Sequence, residues 1–301
     1  MKKVLVIAGP TGVGKTEFSI EVAKQYNGEI ISGDSIQVFQ GMDIGTGKIT
    51  EEEMSGVIHH GLDILSPKEK YNVADFQKLA RDKIDEISAK GRLPIIVGGT
   101  GLYIKACLYD YEFAKQEENS DVIAYFETLT NEELIQYLEK NDKEQAQKIH
   151  GNNRKRLVRA CVMHQTHQIS KSDQIAKQKH IPIYNALILG CTMEREALYH
   201  QINQRVEKMV QLGLKEEIKK LLDQGVQFSD HAMQGIGYRE WQGYFSKEQT
   251  EAEVVASIQQ HSRQFARRQY TWFKNQMPVT WVEVKKEKES IMKTIGSWVS
   301  E

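Results

Sequence analysis

The chain carries 301 residues, with 40 Lys+Arg balanced by 41 Asp+Glu and 40% hydrophobic residues. That length suits one large domain or two smaller ones around a buried core. With 5 Pro, no stretch reads as a disordered linker, and the longest apolar runs, Val4–Ala8 and Ala186–Gly190, are too short to span a bilayer.

In chain order, Val4–Ala8 reads as a buried strand, followed by a Gly-rich turn and a helix over Lys15–Tyr26. Glu29–Ser32 is a second strand. His59-His60 falls in an expected loop, and adjacent histidines share no face, so a metal site is not expected there. Val73–Lys90 is helical, with Phe76, Leu79, Ile84 and Ile87 facing inward and Gly91 ending it. Leu93–Val97 is a third strand and runs into Gly98-Gly99. Strands alternating with helices predict an α/β domain, a P-loop NTPase-like parallel sheet flanked by helices. From residue 115 to 180, charged helical segments (Asn131–Lys140, Asn152–Gln165) replace the strands, which predicts a mostly helical insertion. Tyr184–Leu189 returns the chain to the sheet. Glu194–Gln224 reads as one long amphipathic helix with Leu198, Ile202, Val206, Met209, Val210, Leu221 and Leu222 on one face. Glu251–Asn275 reads as another helix, and Val279–Val284 as a last strand before a polar tail. The expected division is a core over residues 1–112 and 183–290 with an insertion domain over 113–182.

The start Met1-Lys2-Lys3 reaches its Gly-rich turn without a small-residue cleavage site, so a signal peptide is not expected. Cys107, Cys161 and Cys191 lack metal-ligand spacing and read as buried thiols of a cytoplasmic protein.

Gly9-Pro10-Thr11-Gly12-Val13-Gly14-Lys15-Thr16 satisfies G-x-x-x-x-G-K-[ST] between a strand and a helix, the context that motif requires. Glycines let backbone N–H groups point at phosphate oxygens, the helix N-terminus adds its positive dipole end, Lys15 adds a full charge, and the Thr16 hydroxyl can hold Mg²⁺. The loop implies phosphates without implying ATP, since two phosphates satisfy it as well as three. Asp34 directly follows the second strand, at the edge that lines the crevice of a parallel sheet. There it is either a Mg²⁺ ligand or general base, or a helix N-cap or turn residue. Gly98-Gly99-Thr100-Gly101 is a second flexible turn at the same edge. The third strand ends without a carboxylate, which leans against ATP hydrolysis.

The balanced total hides charge blocks. Glu112–Glu144 holds ten acidic and three basic residues, His150–Lys171 five basic and no acidic, and His261–Gln276 four basic and no acidic. Such faces mark either a phosphate-rich partner or ordinary solvated helices. Arg156 and Arg159 share a helix face, as do Arg263 and Arg267, the latter followed by Arg268, Tyr270, Trp272 and Phe273. Arginines among aromatics suit RNA with unstacked bases, or equally aromatics in a core with solvated arginines.

Taken together, the motifs resemble one family, tRNA dimethylallyltransferase, also called tRNA isopentenyltransferase. They are Gly9–Thr16, Asp34-Ser35-Ile36-Gln37-Val38-Phe39, Gly41–Thr46, Gly98–Tyr103, the Arg-rich Asn152–Ala160, Gly235–Glu240 and Arg267–Phe273. They span nearly the whole chain in order. The family usually has Tyr where Phe39 stands, a longer segment than Cys161–His167, and often Arg where Gln201 stands. The resemblance implies transfer of a dimethylallyl group from its diphosphate to the exocyclic amine of the adenosine 3′-adjacent to the anticodon in tRNA. It implies Mg²⁺ as cofactor at Thr16, and the diphosphate on Gly9, Thr11, Gly12, Val13, Gly14, Lys15 and Thr16. Asp34 is then the base, Arg205 stabilises the leaving group, and Thr100 orients the amine or the phosphate. Ser35, Ile36 and Gln37 contact the extruded base, Arg154, Arg156 and Arg159 clamp the anticodon arm, and Gly237, Tyr238 and Arg239 add contacts. The active site is then a channel with tRNA at one mouth and the diphosphate at the other; a monomer is the default, with no membrane partner. Three other readings stand beside it: an ATP-binding P-loop kinase of a small molecule or nucleotide, an isopentenyltransferase of free adenine nucleotides, and a non-catalytic RNA-binding NTPase.

Overall fold

The computed structural model describes residues 1–113, 120–167, 170, 172 and 180–301. Lys171, counted in the basic run, lies outside the described residues. The chain divides into two compact units, Met1–Tyr109 with Pro182–Glu301, and Asp110–Ile181. Its strands are β1 (Lys3–Ala8), β2 (Gly28–Ser32), β3 (His59–His60), β4 (Leu93–Gly98), β5 (Asn185–Cys191) and β6 (Thr280–Val282). The main helices are α1 (Lys15–Gln25), α2 (Val73–Ala89), α3 (Gly101–Leu108), α4 (Ser120–Thr128), α5 (Asn131–Asn141), α6 (Lys143–Lys148), α7 (Arg154–His167), α8 (Arg195–Gln211), α9 (Leu214–Asp223), α10 (Glu251–Gln276) and α11 (Val284–Ser300).

In the first unit the six strands form one sheet in the order β3-β2-β4-β1-β5-β6, with every pairing parallel. The reason is visible in β1. Successive side chains of a strand point to opposite faces. Val4, Val6 and Ala8 therefore join one core with Ile31, Ile96 and Ile188. Leu5 and Ile7 join the other with Ile30, Ile95 and Leu189. A sheet covered on both faces wants apolar residues at every position, hence the unbroken apolar run. On the first face lie Phe76, Ala80, Ile84 and Ile87 of α2 and Ile104, Cys107 and Leu108 of α3. On the second lie Phe18, Ile20, Val22 and Ala23 of α1 and Ile291 and Ile295 of α11. The fold is the parallel α/β sheet expected from the alternation of strands and helices.

Four local expectations need correction. Residues 194–224 do not form one helix: Gly213 sits at φ 97, in the left-handed region, and breaks the run into α8 and α9. The segment after β6 is not a polar tail but α11, because Ile291 and Ile295 recur four apart and bury against the sheet. His59-His60 is the edge strand β3, not a loop, and His60 Nε2 lies 2.7 Å from the buried Glu29 carboxylate. Along α2, Leu79, expected to face inward, is only partly buried, and Ala80 joins Phe76, Ile84 and Ile87 among the buried residues.

The second unit is helical, with a small core of its own built from Phe126, Leu134, Leu138, Ile149, Leu157, Val158, Ala160 and Cys161. Thr130 opens α5 with a capping box, its hydroxyl accepting from Glu133 N while Glu133 accepts from Thr130 N. In the first unit, Tyr109 and Pro182 meet in an antiparallel bridge, so the chain leaves and re-enters that unit at adjacent points.

Candidate active site

In a doubly covered parallel sheet, strand C-termini on either side of the point where the order reverses leave a crevice between their loops. β1 is that point here, flanked by β4 and β5. The crevice is a cavity of about 490 Å³ in the first unit, lined by residues of the loops after β1, β2 and β4 together with α8, α10 and the 235–239 turn.

The loop after β1 is shaped by three glycines at positive φ, Gly9 at φ 139, Gly12 at φ 81 and Gly14 at φ 91. Gly14 is the N-cap of α1, so the positive end of that helix opens on the loop. Val13 is buried against the second core and anchors the turn. Thr11, Lys15 and Thr16 line the cavity. The Lys15 ammonium donates to the carbonyls of Gly9 at 2.9 Å and Pro10 at 2.7 Å. Desolvation lowers its pKa to about 8, with the Arg205 charge adding to the fall and Asp34 opposing it. Arg205, on α8, donates through Nη1 to Thr11 Oγ1 at 3.0 Å and through Nη2 to the Thr46 carbonyl at 3.0 Å. Burial lowers its pKa and Asp34 again opposes the shift. Gly47, at φ 57, has no room for a side chain because the Arg205 guanidinium fills that space. Asp34, the one carboxylate of the lining among the described residues, thus shares the cavity with Lys15 and Arg205, and Arg239 and Arg268 line it as well.

Asp34 leaves β2 into a turn in which its Oδ1 accepts from Ile36 N at 2.8 Å and Gln37 N at 3.3 Å. The turn reading of Asp34 is therefore real, and it fixes the carboxylate while Oδ2 takes no bond from the described residues. Ser35 and Ile36 line the cavity. Gln37 does too, but its amide is engaged: Ser32 Oγ donates to Oε1 at 2.9 Å and Nε2 donates to the Thr46 carbonyl at 3.5 Å. Thr100 is the N-cap of α3, yet its side chain makes no capping bond, which leaves the hydroxyl for the cavity it lines.

In the 235–239 turn, Gly237 sits at φ 99 and its N–H donates to Glu240 Oε2 at 2.8 Å. Arg239 Nε donates to Glu240 Oε1 at 2.9 Å, and His261 Nδ1 lies 2.8 Å from the same oxygen. Tyr238 is fully buried, and its hydroxyl donates to Glu217 Oε1 at 2.7 Å. Sequence reading missed Glu217. Its carboxylate also accepts from the backbone N–H groups of Asp43, Ile44 and Gly45 at 2.9, 2.7 and 3.2 Å, and so holds the loop that presents Thr46 to Arg205. No sequence signal marks one glutamate in a charged helix for that task. In the second unit Arg156 and Arg159 are exposed on α7, whereas Arg154 donates to Asn131 Oδ1 at 3.0 Å and the Glu127 carbonyl at 2.7 Å. On α10, Phe273 is fully buried and Trp272 partly so, while Arg267 and Arg268 are exposed.

Among the described residues no group of three or more His, Cys, Asp or Glu gathers to hold a metal, and no helix is long and apolar enough to cross a membrane.

The model of the family described as IPP transferase matches residues 37–276, and that described as isopentenyl transferase matches residues 2–68. The tRNA dimethylallyltransferase of Anoxybacillus flavithermus is 47% identical over 94% of this chain and 91% of its own length. The chain belongs to the tRNA dimethylallyltransferase family. The Bacillus subtilis member is 45% identical over 93% of this chain and 90% of its own. Among solved structures, the tRNA isopentenylpyrophosphate transferase of Staphylococcus epidermidis is 42% identical with a TM-score of 0.74, covering 100% of this chain and 99% of that one. A eukaryotic dimethylallyltransferase captured acting on tRNA is 26% identical with a TM-score of 0.82, covering 95% of this chain and 75% of that one. Membership makes the chain a prenyl-group transferase of the tRNA-modifying kind and favours that reading over a kinase.

Proposed function

We propose that the protein transfers the dimethylallyl group of dimethylallyl diphosphate to the exocyclic amine of the adenosine 3′-adjacent to the anticodon in tRNA, releasing diphosphate. One observation carries this reading: Lys15 and Arg205, suited to a diphosphate, line the same cavity as Asp34, suited to an amine.

The amine is a poor nucleophile because its lone pair is delocalised into the ring. As its nitrogen bonds to the allylic carbon, Asp34 takes the amine proton on the oxygen that Ile36 and Gln37 leave free. The carbon–oxygen bond breaks with its electron pair going to diphosphate. The charge that gathers there is met by the loop N–H groups of Gly12, Val13 and Gly14, the α1 N-terminus, Lys15 and Arg205. Lys15 exchanges its carbonyl partners in Gly9 and Pro10 for diphosphate oxygens. Thr16 and the diphosphate oxygens would hold Mg²⁺, which needs few protein ligands because it keeps several waters, and which would neutralise leaving-group charge. Thr100 offers its uncapped hydroxyl to the amine or to the phosphate.

The target base is extruded from its loop to reach the donor, and Ser35 and Ile36 contact it. Exposed Arg156 and Arg159 hold the anticodon arm through phosphates. Arg154 supports them from inside the helical unit, and Gly237 and Tyr238 act through the shape of the turn that carries Arg239. The proposed functional unit is a monomer. The three buried cysteines fit a cytoplasmic protein.

The test mixes protein, Mg²⁺ and labelled dimethylallyl diphosphate with unmodified tRNA, with AMP, or with ATP and AMP. Label on tRNA and not on AMP is expected. Label on AMP alone would move the acceptor to free nucleotides, and phosphate transfer from ATP without label would return the chain to the kinases.

A further inference from the structure

Gln269 is the one polar residue among the buried positions of α10, which are otherwise Val254, Ile258, Ala266 and Phe273. A buried amide costs stability unless both of its ends are bonded. Here both are, and to two different loops. Oε1 accepts from Thr11 N at 3.2 Å, in the phosphate loop, and Nε2 donates to the Gly99 carbonyl at 3.0 Å, in the turn that presents Thr100. The two loops start from neighbouring strands in register, Ala8 beside Gly98, and then diverge into α1 and α3. The turn is pressed onto α10 at two points. A Cβ on Gly99 would collide with the Gln269 amide, and one on Gly101 would collide with the Trp272 ring. Thr11 is likewise held twice, at its amide by Gln269 and at its hydroxyl by Arg205.

We infer that Gln269 is a positioning residue that sets the distance between the diphosphate loop and Thr100, and so the alignment of leaving group and acceptor amine. The inference rests on the function proposed above. A side chain that spans donor loop and acceptor turn should govern the bond-forming step more than the binding of either substrate. Where the amine is misaligned, water bonds to the allylic carbon in its place as the carbon–oxygen bond breaks; the electron pair goes to diphosphate and the water proton to Asp34, giving dimethylallyl alcohol.

The test uses the full chain with Gln269→Met, which keeps size and loses both bonds. Four quantities are read: the melting temperature, the Kd for dimethylallyl diphosphate, kcat for transfer to tRNA, and the ratio of alcohol to prenylated tRNA. A donor Kd within about threefold of wild type, a kcat lower by at least tenfold (about one bond's worth) and a raised alcohol ratio are expected. Gln269→Glu keeps the acceptor for Thr11 but sets a carboxylate against the Gly99 carbonyl, so it does not rescue kcat; it replaces the Met variant if that one fails to fold. An unchanged kcat and alcohol ratio overturns the inference. So does a kcat loss with an unchanged alcohol ratio and a proportionate loss of donor binding and melting temperature, which marks a merely structural amide. Wild-type protein that transfers nothing to tRNA would instead overturn the proposed function.

Discussion

At the scale of single residues, the cavity sets one carboxylate, Asp34, among cations, of which Lys15 and Arg205 are its electrostatic partners. Lys15 carries the pH dependence. Its pKa of about 8 comes first from desolvation, and an incoming diphosphate raises it by supplying opposite charge. Donor binding is therefore expected to weaken as pH rises through about 8 in the free protein, with proton uptake on binding above that pH; titrating the donor Kd across that range by calorimetry checks both. The sign for stability runs the other way. Between about 8 and the ordinary lysine value of 10.5 the unfolded chain holds more protons than the folded one, so this residue's contribution to stability rises with pH in that window. Asp34→Asn preserves an oxygen for the Ile36 and Gln37 N–H groups and removes the base. A kcat loss of about 10²–10⁴-fold with an unchanged melting temperature is expected from single-turnover transfer assays. A non-catalytic RNA-binding protein would show no such loss.

At the scale of elements, one side chain of α9 gathers the backbone of the loop that backs Arg205. Glu217 accepts from Asp43, Ile44, Gly45 and Tyr238, bonds of the charge-assisted kind. Burial first, and the Glu217 carboxylate second, push the Tyr238 hydroxyl far up, so it stays a donor. Glu217→Ala leaves those N–H groups and the buried hydroxyl without their acceptor. A cost of roughly 2–3 kcal/mol is expected in urea unfolding, together with weaker diphosphate binding because Thr46 no longer braces Arg205. Glu217→Gln retains one oxygen acceptor and is expected to lose less on both counts.

At the scale of the whole molecule, the second unit has its own core and hangs from adjacent points of the first, Tyr109 and Pro182. Domains inserted at adjacent points are commonly removable. Replacing residues 110–181 with a short Gly-rich linker is expected to leave a folded first unit that keeps its donor Kd and loses most of its tRNA affinity, read by calorimetry and gel shift. In the intact chain, Arg156→Ala and Arg159→Ala are each expected to lower the salt slope of tRNA binding by about 1 and to leave the donor Kd unchanged. A slope indifferent to both would place the RNA face elsewhere.

What the sequence determined by itself is local. The phosphate loop was legible because a fixed spacing of glycines, lysine and threonine between strand and helix has few other uses. The parallel sheet was legible because its strands are apolar on both faces, and the placement of Asp34 and Thr100 beside the phosphate loop because they follow strands closely. Tertiary structure alone decided the rest, because it concerns contacts between residues far apart in the chain. Nothing around Gln269, in a stretch read for its arginines and aromatics, announces a bond to Thr11, 258 residues away, nor does Glu217 announce the loop it holds from 172 to 174 residues away. The break at Gly213 and the helix after β6 depended in the same way on packing. A glycine within an amphipathic pattern is tolerated or not according to what the next turn must bury, and a polar-looking tail becomes a helix when its two isoleucines meet an uncovered sheet face.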